Sequence, residues 1–148
     1  MAEKKRKRNN GAVVARRSYR PAKGDEFMSV VQREYFRQRL LRWRADIIED
    51  SSQTLANLQE QTGREADSAD RASIESERLV ELRARDRERK LLNKIDSALR
   101  RIEDGKYGYC EETGDPISLA RLEARPIATL SIHAQERHEH MEKTHRAD

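Results

Sequence analysis

Hydrophobic residues in the first half of the chain recur at the three- and four-residue spacing of one helix face. Over residues 27–61, the positions that follow this spacing are Phe36, Leu40, Trp43, Ile47, Leu55 and Leu58. No proline interrupts this stretch, and Gly63 follows it where a glycine commonly ends a helix. Over residues 70–104, a second stretch carries Leu92, Ile95, Leu99 and Ile102. The pattern predicts two long helices joined by a short connection.

The connection, residues 63–72, is expected to form the tip of an antiparallel helical hairpin. Arms of about 30 residues, at a rise of about 1.5 Å per residue, would make a rod roughly 45 Å long. Asp67 and Asp70 lie three residues apart at this tip. Either they cap the N-terminus of the second helix, or they carry negative charge to a metal-bearing or strongly basic site in another macromolecule.

The middle of the second arm, residues 83–90, is highly charged and offers only Ala84 for burial. We therefore expect a rod that is firm at its base and loosely packed further out. The interleaved acidic residues favour a solvated face with ion pairs within the helix. Near the base, Lys94, Arg121 and Arg125 could converge to form a small anion pocket, because arginine suits bidentate phosphate contact.

After Gly105 the pattern becomes rich in turns, and residues 106–148 are predicted to form a small module with a C-terminal helix. The turn-rich segment, residues 107–116, is followed by a short helix near residues 118–123 and a polar terminal helix over residues 131–145. The residues expected to pack this module together are Tyr107, Tyr109, Ile117, Leu119, Leu122, Ile127 and Leu130.

This module resembles a zinc finger whose ligands have been replaced. Two Cys-x-x-Cys pairs would hold zinc, but the corresponding pairs here are Cys110 with Thr113 and Ser131 with Ala134. We expect no bound metal, and we expect the histidines of the terminal helix to be exposed. The histidines concerned are His133, His138 and His140. Redox sensing by Cys110 is disfavoured, because two neighbouring glutamates oppose a thiolate.

Composition supports an extended architecture. Of the 148 residues, 35% are hydrophobic and 39% are charged, which is too little apolar material for a compact globule but enough for the narrow seam of a coiled coil. The 31 basic and 27 acidic residues leave a net charge of +4, which argues against a DNA-coating protein. Residues 1–24 are basic and predict a disordered tail; the alternative is a phosphate contact through residues 4–8.

The sequence also excludes several classes of protein. A single cysteine cannot form an intramolecular disulfide. No apolar run approaches the roughly 20 residues of a membrane span, and no hydrophobic segment follows the basic start as in a signal peptide. We expect a soluble, cytoplasmic protein. Phosphate-binding loops, nucleophile triads and helical zinc motifs are missing from the sequence, so we expect no enzymatic activity.

Several motifs resemble the DksA/TraR family of bacterial transcription regulators. The motifs are Asp-Ser-Ala-Asp-Arg-Ala at residues 67–72, the charged run at residues 81–91, Tyr-Gly-Tyr-Cys-Glu at residues 107–111 and Arg-Leu-Glu-Ala-Arg-Pro at residues 121–126. With residues 26–28 and 43–44, the resemblance extends over residues 20–145. It implies a mainly α fold: a long antiparallel coiled-coil hairpin over residues 25–105, followed by a zinc-finger-like module without zinc and a C-terminal helix.

The resemblance also implies roles for individual residues. Asp67, Asp70 and Ala72 would be tip residues near the RNA polymerase active centre, and Arg87 would contact the polymerase rim. The family works with guanosine tetraphosphate (ppGpp), and the residues matching that site are Leu91, Lys94 and Arg125. A lysine of that site corresponds to Gln135 here, which predicts weaker alarmone binding. Of the family's four cysteines, Cys110 remains, so the chain resembles the zinc-free branch.

The functional expectation is a monomeric regulator that inserts its tip into the secondary channel of RNA polymerase without binding DNA sequence-specifically or a membrane. With ppGpp, such a regulator destabilises promoter open complexes, represses ribosomal RNA promoters and activates some biosynthetic promoters in the stringent response. The alternative is a coiled-coil adaptor or nucleic-acid-associated structural protein that uses the basic tail. A weaker third possibility is a transcript-cleavage stimulator.

Overall fold

The computed structural model describes residues 19–62 and 68–146. Over these residues the fold is mainly helical, as predicted, and it contains helices α1 (Val30–Thr62), α2 (Ser68–Glu103), α3 (Leu119–Ala124) and α4 (Ile132–His145). Within the same residues, β-structure is limited to an isolated antiparallel bridge between Tyr109 and Pro116. None of the described helices is both long enough and apolar enough to cross a membrane.

Helices α1 and α2 pack side by side in opposite directions and form the predicted hairpin. With 36 residues, α2 is about 54 Å long. Near the base, an ion pair crosses between the arms, with Arg44 Nε 2.9 Å from Asp96 Oδ1. Both side chains are substantially exposed to water, which weakens the ion pair. The pair therefore contributes little to the stability of the hairpin, although it helps to align the two arms. The buried apolar residues of the two arms at this end are Phe36, Leu40, Ile95, Ala98 and Ile102.

Further from the base, the space between the arms is lined mainly by polar residues. These are Ser51, Thr54 and Asn57 on α1, facing Glu77, Glu81, Arg85 and Glu88 on α2. Among the described side chains of residues 41–57 and 71–94 none is buried, so this part of the rod has little hydrophobic stabilisation. The structure thus agrees with the expected firm base and loose outer half.

The end of α2 is shaped by a glycine in the left-handed conformation. Gly105, at φ 73°, donates its N–H to the carbonyl of Ile102 at 3.2 Å. Lys106 donates to the carbonyl of Arg101 at 2.9 Å. These two bonds form a Schellman motif, which ends the helix and turns the chain back. The turn directs Tyr107 into the core, where its hydroxyl donates to the carbonyl of Pro126 at 2.7 Å, and burial raises its pKa.

The module after α2 packs on the base of the hairpin in one continuous core. Its buried members are Tyr107, Cys110, Ile117, Leu122, Ala128 and Ala134, with Tyr109, Leu119, Ile127 and Leu130 packed against them. All seven residues that the sequence predicted to hold this module together belong to this cluster. Ser118 and Ser131 cap α3 and α4 by accepting hydrogen bonds from the N–H groups of Arg121 and Ala134.

A segment before α1 lies across the base. The Tyr19 hydroxyl donates to Asp25 at 2.8 Å, and the Tyr19 ring packs edge-on against Tyr35 at 6.0 Å. Met28 is buried with its N–H bound to the side chain of Gln32 at 2.8 Å. Of the predicted tail, residues 1–18 lie outside the described part of the chain, whereas residues 19–24 belong to this packed segment.

Gly108→Ala should destabilise the protein more than Gly114→Ala. Both glycines have positive φ, at 89° and 73°, so alanine costs about 1–2 kcal/mol at either position. A Cβ at position 108 would also lie 2.9 Å from Cγ of the buried Met28, whereas a Cβ at position 114 meets nothing within 4 Å. The extra overpacking should add about 1–3 kcal/mol. Urea unfolding of both variants measures the difference, and equal losses would contradict the packing described here.

Candidate functional site

The last residues of α1 and the first residues of α2 lie at the end of the hairpin opposite the module. Helix α2 begins at Ser68, so Asp70 is its third residue, in the first turn, where an acidic residue suits the helix dipole. Ala72 follows on α2 and is exposed. Asp67 lies outside the described residues, as do residues 63–66 of the predicted connection. The start of α2 therefore places Asp70 and Ala72 far from the base along the rod.

Arg87 is exposed in the middle of α2, about 22 Å along the helix from Ala72. Among residues 19–62 and 68–146, no carboxylate forms an ion pair with it. Its neighbour Asp86 accepts instead from Arg89 at 2.8 Å and from Lys90 at 2.9 Å. Hydrogen bonds from Lys90 and then Arg89 lower the Asp86 pKa. Arg87 thus remains an uncompensated positive charge available to a partner.

At the base, the structure brings Lys94, Arg121 and Arg125 together around a cavity of about 170 Å³. Arg121 is held in place because its Nε donates to the carbonyl of Leu130 at 2.9 Å. Gln135 also lines this cavity, and its side-chain amide donates to Glu139 at 3.0 Å. Three cationic side chains around one small cavity can bind a phosphate-bearing anion, and arginine provides the planar donors for it.

Leu91, which the resemblance assigned to the alarmone site, is not part of this lining. It packs instead against the hydrophobic core of the base, one turn before Lys94 on α2. Its position in the fold makes it a support for that turn of α2. The structure thus joins Lys94 and Arg125 directly and leaves Leu91 at their side.

The arginine-bearing helix α3 is fixed to α1 by a contact that the sequence did not predict. Glu123 on α3 accepts a hydrogen bond from the Tyr35 hydroxyl at 3.1 Å and pairs with Arg39 at 2.7 Å. Burial and then the hydrogen bond to Glu123 raise the pKa of Tyr35. Only one feature of the sequence indicated this contact, and only weakly: Tyr35 and Arg39 are four residues apart and therefore share one helix face. These residues position α3, and with it Arg121 and Arg125, beside α2.

The terminal helix is tied to the turn-rich segment through Glu112. This carboxylate contacts the His138 ring and lies 3.6 Å from Arg137. The prediction of freely exposed histidines therefore needs correction for His138, because it is only partly exposed and has a carboxylate partner. His133 and His140 are exposed, as predicted.

Cys110 is buried in the module at the position of a zinc-ligand pair. Burial raises the pKa of its thiol, but hydrogen bonds from the Thr113 hydroxyl and from the backbone of Ser131, Thr113 and Glu112 outweigh burial and lower the pKa to about 6. The sulfur is thus surrounded by donors of its own chain. These donors stabilise a thiolate, so the expectation that the neighbouring glutamates keep the thiol protonated needs correction.

The donor set does not fit a structural zinc ion, which needs four strong ligands. The Ser131 hydroxyl is engaged in capping α4, and Ala134 is fully buried with no ligand atom to offer. Over residues 19–62 and 68–146, no three histidine, cysteine or acidic side chains are arranged to hold a metal ion. The described residues of the module are held together by packing and hydrogen bonds.

Two family profiles match the chain. The first, described as the N-terminal domain of the DnaK suppressor protein DksA, matches residues 32–102. The second, described as the prokaryotic dksA/traR C4-type zinc finger, matches residues 105–140. Its description implies four cysteines, whereas this chain has one. The two matched segments together cover most of the hairpin arms and the module with the first part of α4.

Relatives and a solved structure resemble the chain over most of its length. A Caulobacter vibrioides protein named RNA polymerase-binding transcription factor DksA is 58% identical over 136 residues, which is 92% of this chain and 96% of the relative. An Escherichia coli K12 protein of the same name is 40% identical over 121 residues, or 82% and 80% of the two chains. The structure of transcription factor DksA2 from Pseudomonas aeruginosa matches with a TM-score of 0.73 and 45% identity, covering 79% of this chain and 90% of that one.

The Cys110 thiolate should make folding stability depend on pH. Because the pKa is lowered from 9.0 to about 6, the stabilisation is complete above about pH 9 and is lost as pH falls through about 6. Urea unfolding of the wild type and Cys110→Ser should therefore differ most at alkaline pH and least near pH 6. The ultraviolet absorbance of the thiolate, followed as a function of pH, measures the pKa of Cys110 directly. A stability difference that does not change with pH would contradict this assignment.

Removing divalent metal should leave the melting temperature unchanged, because the chain has one cysteine and the described residues contain no group of three side chains that could hold a metal ion. Thermal unfolding with and without a chelator measures this, and elemental analysis of the purified protein provides the control. A chelator that lowers the melting temperature by several degrees would show that the packed module needs a metal after all.

Proposed function

The chain belongs to the DksA family, and from this premise we propose that it is a transcription regulator that binds RNA polymerase and is not an enzyme. The observation that carries the proposal is the 58% identity to a protein named as an RNA polymerase-binding transcription factor, over 96% of that protein's length. Nearly the whole relative is matched, so the tip, the rod and the base module all have counterparts there. We place its action in the cytoplasm, as a monomer without sequence-specific DNA contacts.

The hairpin suits insertion into the secondary channel of polymerase. Two helices side by side are about 20 Å across, and α2 alone spans about 54 Å. Such a rod can reach deep into a narrow pore, while the wider base module stays outside and limits how far it enters. Asp67, Asp70 and Ala72 would then act near the catalytic centre. Arg87, uncompensated and exposed, would contact the channel rim.

At the tip, negative charge would change the energy of promoter complexes. A difference of about 1.4 kcal/mol between two complexes alters their ratio tenfold, so a few contacts from Asp67 and Asp70 suffice. Short-lived open complexes, as at ribosomal RNA promoters, would be destabilised first. Some biosynthetic promoters would be activated in the same response.

The basic cavity at the base would receive the effector ppGpp at the interface with polymerase. Lys94 and Arg125 line it, Arg121 adds a third positive charge, and Leu91 supports the same turn of α2. Gln135 supplies no charge and is bound to Glu139. We therefore propose a functioning alarmone site with weakened affinity.

Asp70→Asn should leave polymerase binding within about twofold of wild type and abolish the effect on transcription, because the tip acts on the promoter complex while the rod and base hold the protein in place. In vitro transcription from a ribosomal RNA promoter measures the effect, and competition binding measures the affinity. Asp46→Asn, on the exposed face of α1, is the matched control. Loss of binding by Asp70→Asn would instead make the tip an anchor.

Lys94→Ala should weaken ppGpp-dependent stimulation at least roughly tenfold, because a hydrogen bond to a charged group is worth about 1.5–3 kcal/mol. Gln135→Lys should strengthen the response, since it adds a fourth cation to the same cavity. Dose–response transcription assays with ppGpp measure both changes. Lys106→Ala, an exposed lysine outside the cavity, is the control. A Gln135→Lys variant with an unchanged response would remove this position from the site.

A further inference from the structure

The six-residue helix α3 carries an arginine of the basic cavity, although it is too short to hold its own position. A helix of this length is not stable in isolation, because its first turn is unfavourable to form and few residues follow it. Arg121 lies within α3 and Arg125 caps its end, and both line the cavity with Lys94. The position of these two arginines relative to Lys94 therefore depends on the contacts that hold α3.

Glu123 lies on the side of α3 opposite these arginines. At 3.6 residues per turn, residues two apart on a helix point in nearly opposite directions. Arg121 is two residues before Glu123, and the C-cap Arg125 is two residues after it. One side of α3 thus lines the cavity, while the other presents Glu123 to Tyr35 and Arg39 of α1.

Two donors of α1 converge on one oxygen of Glu123. The Tyr35 hydroxyl donates to Oε2 at 3.1 Å, and a terminal guanidinium nitrogen of Arg39 donates to the same atom at 2.7 Å. The other carboxylate oxygen, Oε1, is buried and has no hydrogen-bond partner among the described residues. A buried acceptor without a partner lowers stability, and ion pairs removed from water add little net stability. What this contact provides instead is direction, because charge-assisted hydrogen bonds fix the geometry of their partners.

The segment before α1 packs against Tyr35 and restrains its ring. Tyr19 is itself held in place, because its hydroxyl donates to Asp25 at 2.8 Å. The Tyr19 ring packs edge-on against Tyr35 at 6.0 Å, and Phe36 packs edge-on against Tyr35 at 5.1 Å. With its ring between these two aromatic neighbours, Tyr35 keeps its hydroxyl aimed at Glu123.

We propose that Tyr35 and Arg39 are positioning residues for the basic cavity: by holding Glu123, they set where the arginines of α3 and its cap lie relative to Lys94. Neither residue lines the cavity. The proposal rests on the proposed function, in which this cavity receives ppGpp, and extends it to residues that do not touch the effector. A ligand with adjacent phosphates needs cations at fixed separations around it. A displacement of α3 would therefore weaken its binding without changing the tip or the rod.

Direct attraction between Arg39 and the effector is the alternative explanation. Arg39 is a cation, but its guanidinium is engaged with Glu123, so the charge of the pair is compensated. Tyr35 is neutral, and burial together with Glu123 raises its pKa, so its hydroxyl stays protonated near neutral pH. Direct attraction thus predicts no effect from loss of the Tyr35 hydroxyl, whereas positioning through Glu123 predicts a clear one.

The first test compares Tyr35→Phe with Tyr109→Phe in the full-length protein. Tyr35→Phe removes the hydroxyl bonded to Glu123 and keeps the ring, while Tyr109→Phe removes a hydroxyl of the same base that does not contact Glu123. The readout is transcription from a ribosomal RNA promoter by purified polymerase. The ppGpp concentration for half-maximal effect should rise about three- to tenfold for Tyr35→Phe and stay within about twofold of wild type for Tyr109→Phe. The effect without ppGpp and the affinity for polymerase should stay unchanged in both variants.

The second test uses rescue and non-additivity at Arg39 and Glu123. The contact uses one guanidinium nitrogen, so Arg39→Lys can keep a charged donor there, whereas Arg39→Gln keeps the helix but not the charge. The half-maximal ppGpp concentration of Arg39→Lys should therefore lie closer to that of the wild type. Glu123→Met removes the acceptor, and in that background Tyr35→Phe should add no further shift, because both changes break the same contact. A shift that persists in full would overturn the role of Glu123.

Three further results would overturn the proposal, and they can be told apart. If the wild type and Tyr35→Phe respond equally to ppGpp, positioning through Tyr35 fails while the alarmone cavity stands. If Tyr35→Phe loses polymerase affinity and the effect without ppGpp to the same extent as the ppGpp response, Tyr35 supports the fold in general. If the wild type binds polymerase but does not respond to ppGpp, the alarmone part of the proposed function fails, and this proposal fails with it.

Discussion

The buried side chain of Tyr107 joins the parts of this molecule. Its ring packs against Phe36 of α1 at 5.5 Å, and its hydroxyl donates to the carbonyl of Pro126 at 2.7 Å. The Schellman turn at Gly105 delivers it there from the end of α2. Tyr107 thus joins the hairpin and the module, together with the shared core and the contacts of Glu123 with Tyr35 and Arg39. The cavity with Lys94 on α2 and Arg125 beside α3 can exist only when these elements hold this arrangement.

The module shows how a zinc-finger-like segment can hold together through packing. Where a metal ion would collect four ligands, Cys110 accepts hydrogen bonds from Thr113 and from backbone groups of both turns. Ser131 serves as a helix cap, and Ala134 is part of the hydrophobic core. A bound metal ion stabilises a fold through a few strong bonds at one site. Here the stabilising free energy comes from many weak contacts across the module.

Apolar side chains are buried unevenly along the rod. The base, with Phe36, Leu40 and Ile95, buries its apolar residues between the arms. In the outer half, the gap between the arms is lined mainly by polar residues, and Leu79 and Leu82 lie exposed on α2. The hairpin is therefore stabilised mainly at its base.

The sequence by itself determined the helices, the mainly helical class and the residues of the module core. Periodicity, capping serines and glycine positions act locally, over a few neighbours, and can be read along the chain. The motifs of the sequence also indicated the DksA family. Only the tertiary structure decided that Gln32 is fully buried, that Leu91 packs in the core beside the basic cavity, and that Glu123 holds α3 through Tyr35 and Arg39. Tyr35 and Glu123 are 88 residues apart. No local spacing encodes such a contact, because it arises only when packed helices bring distant side chains together.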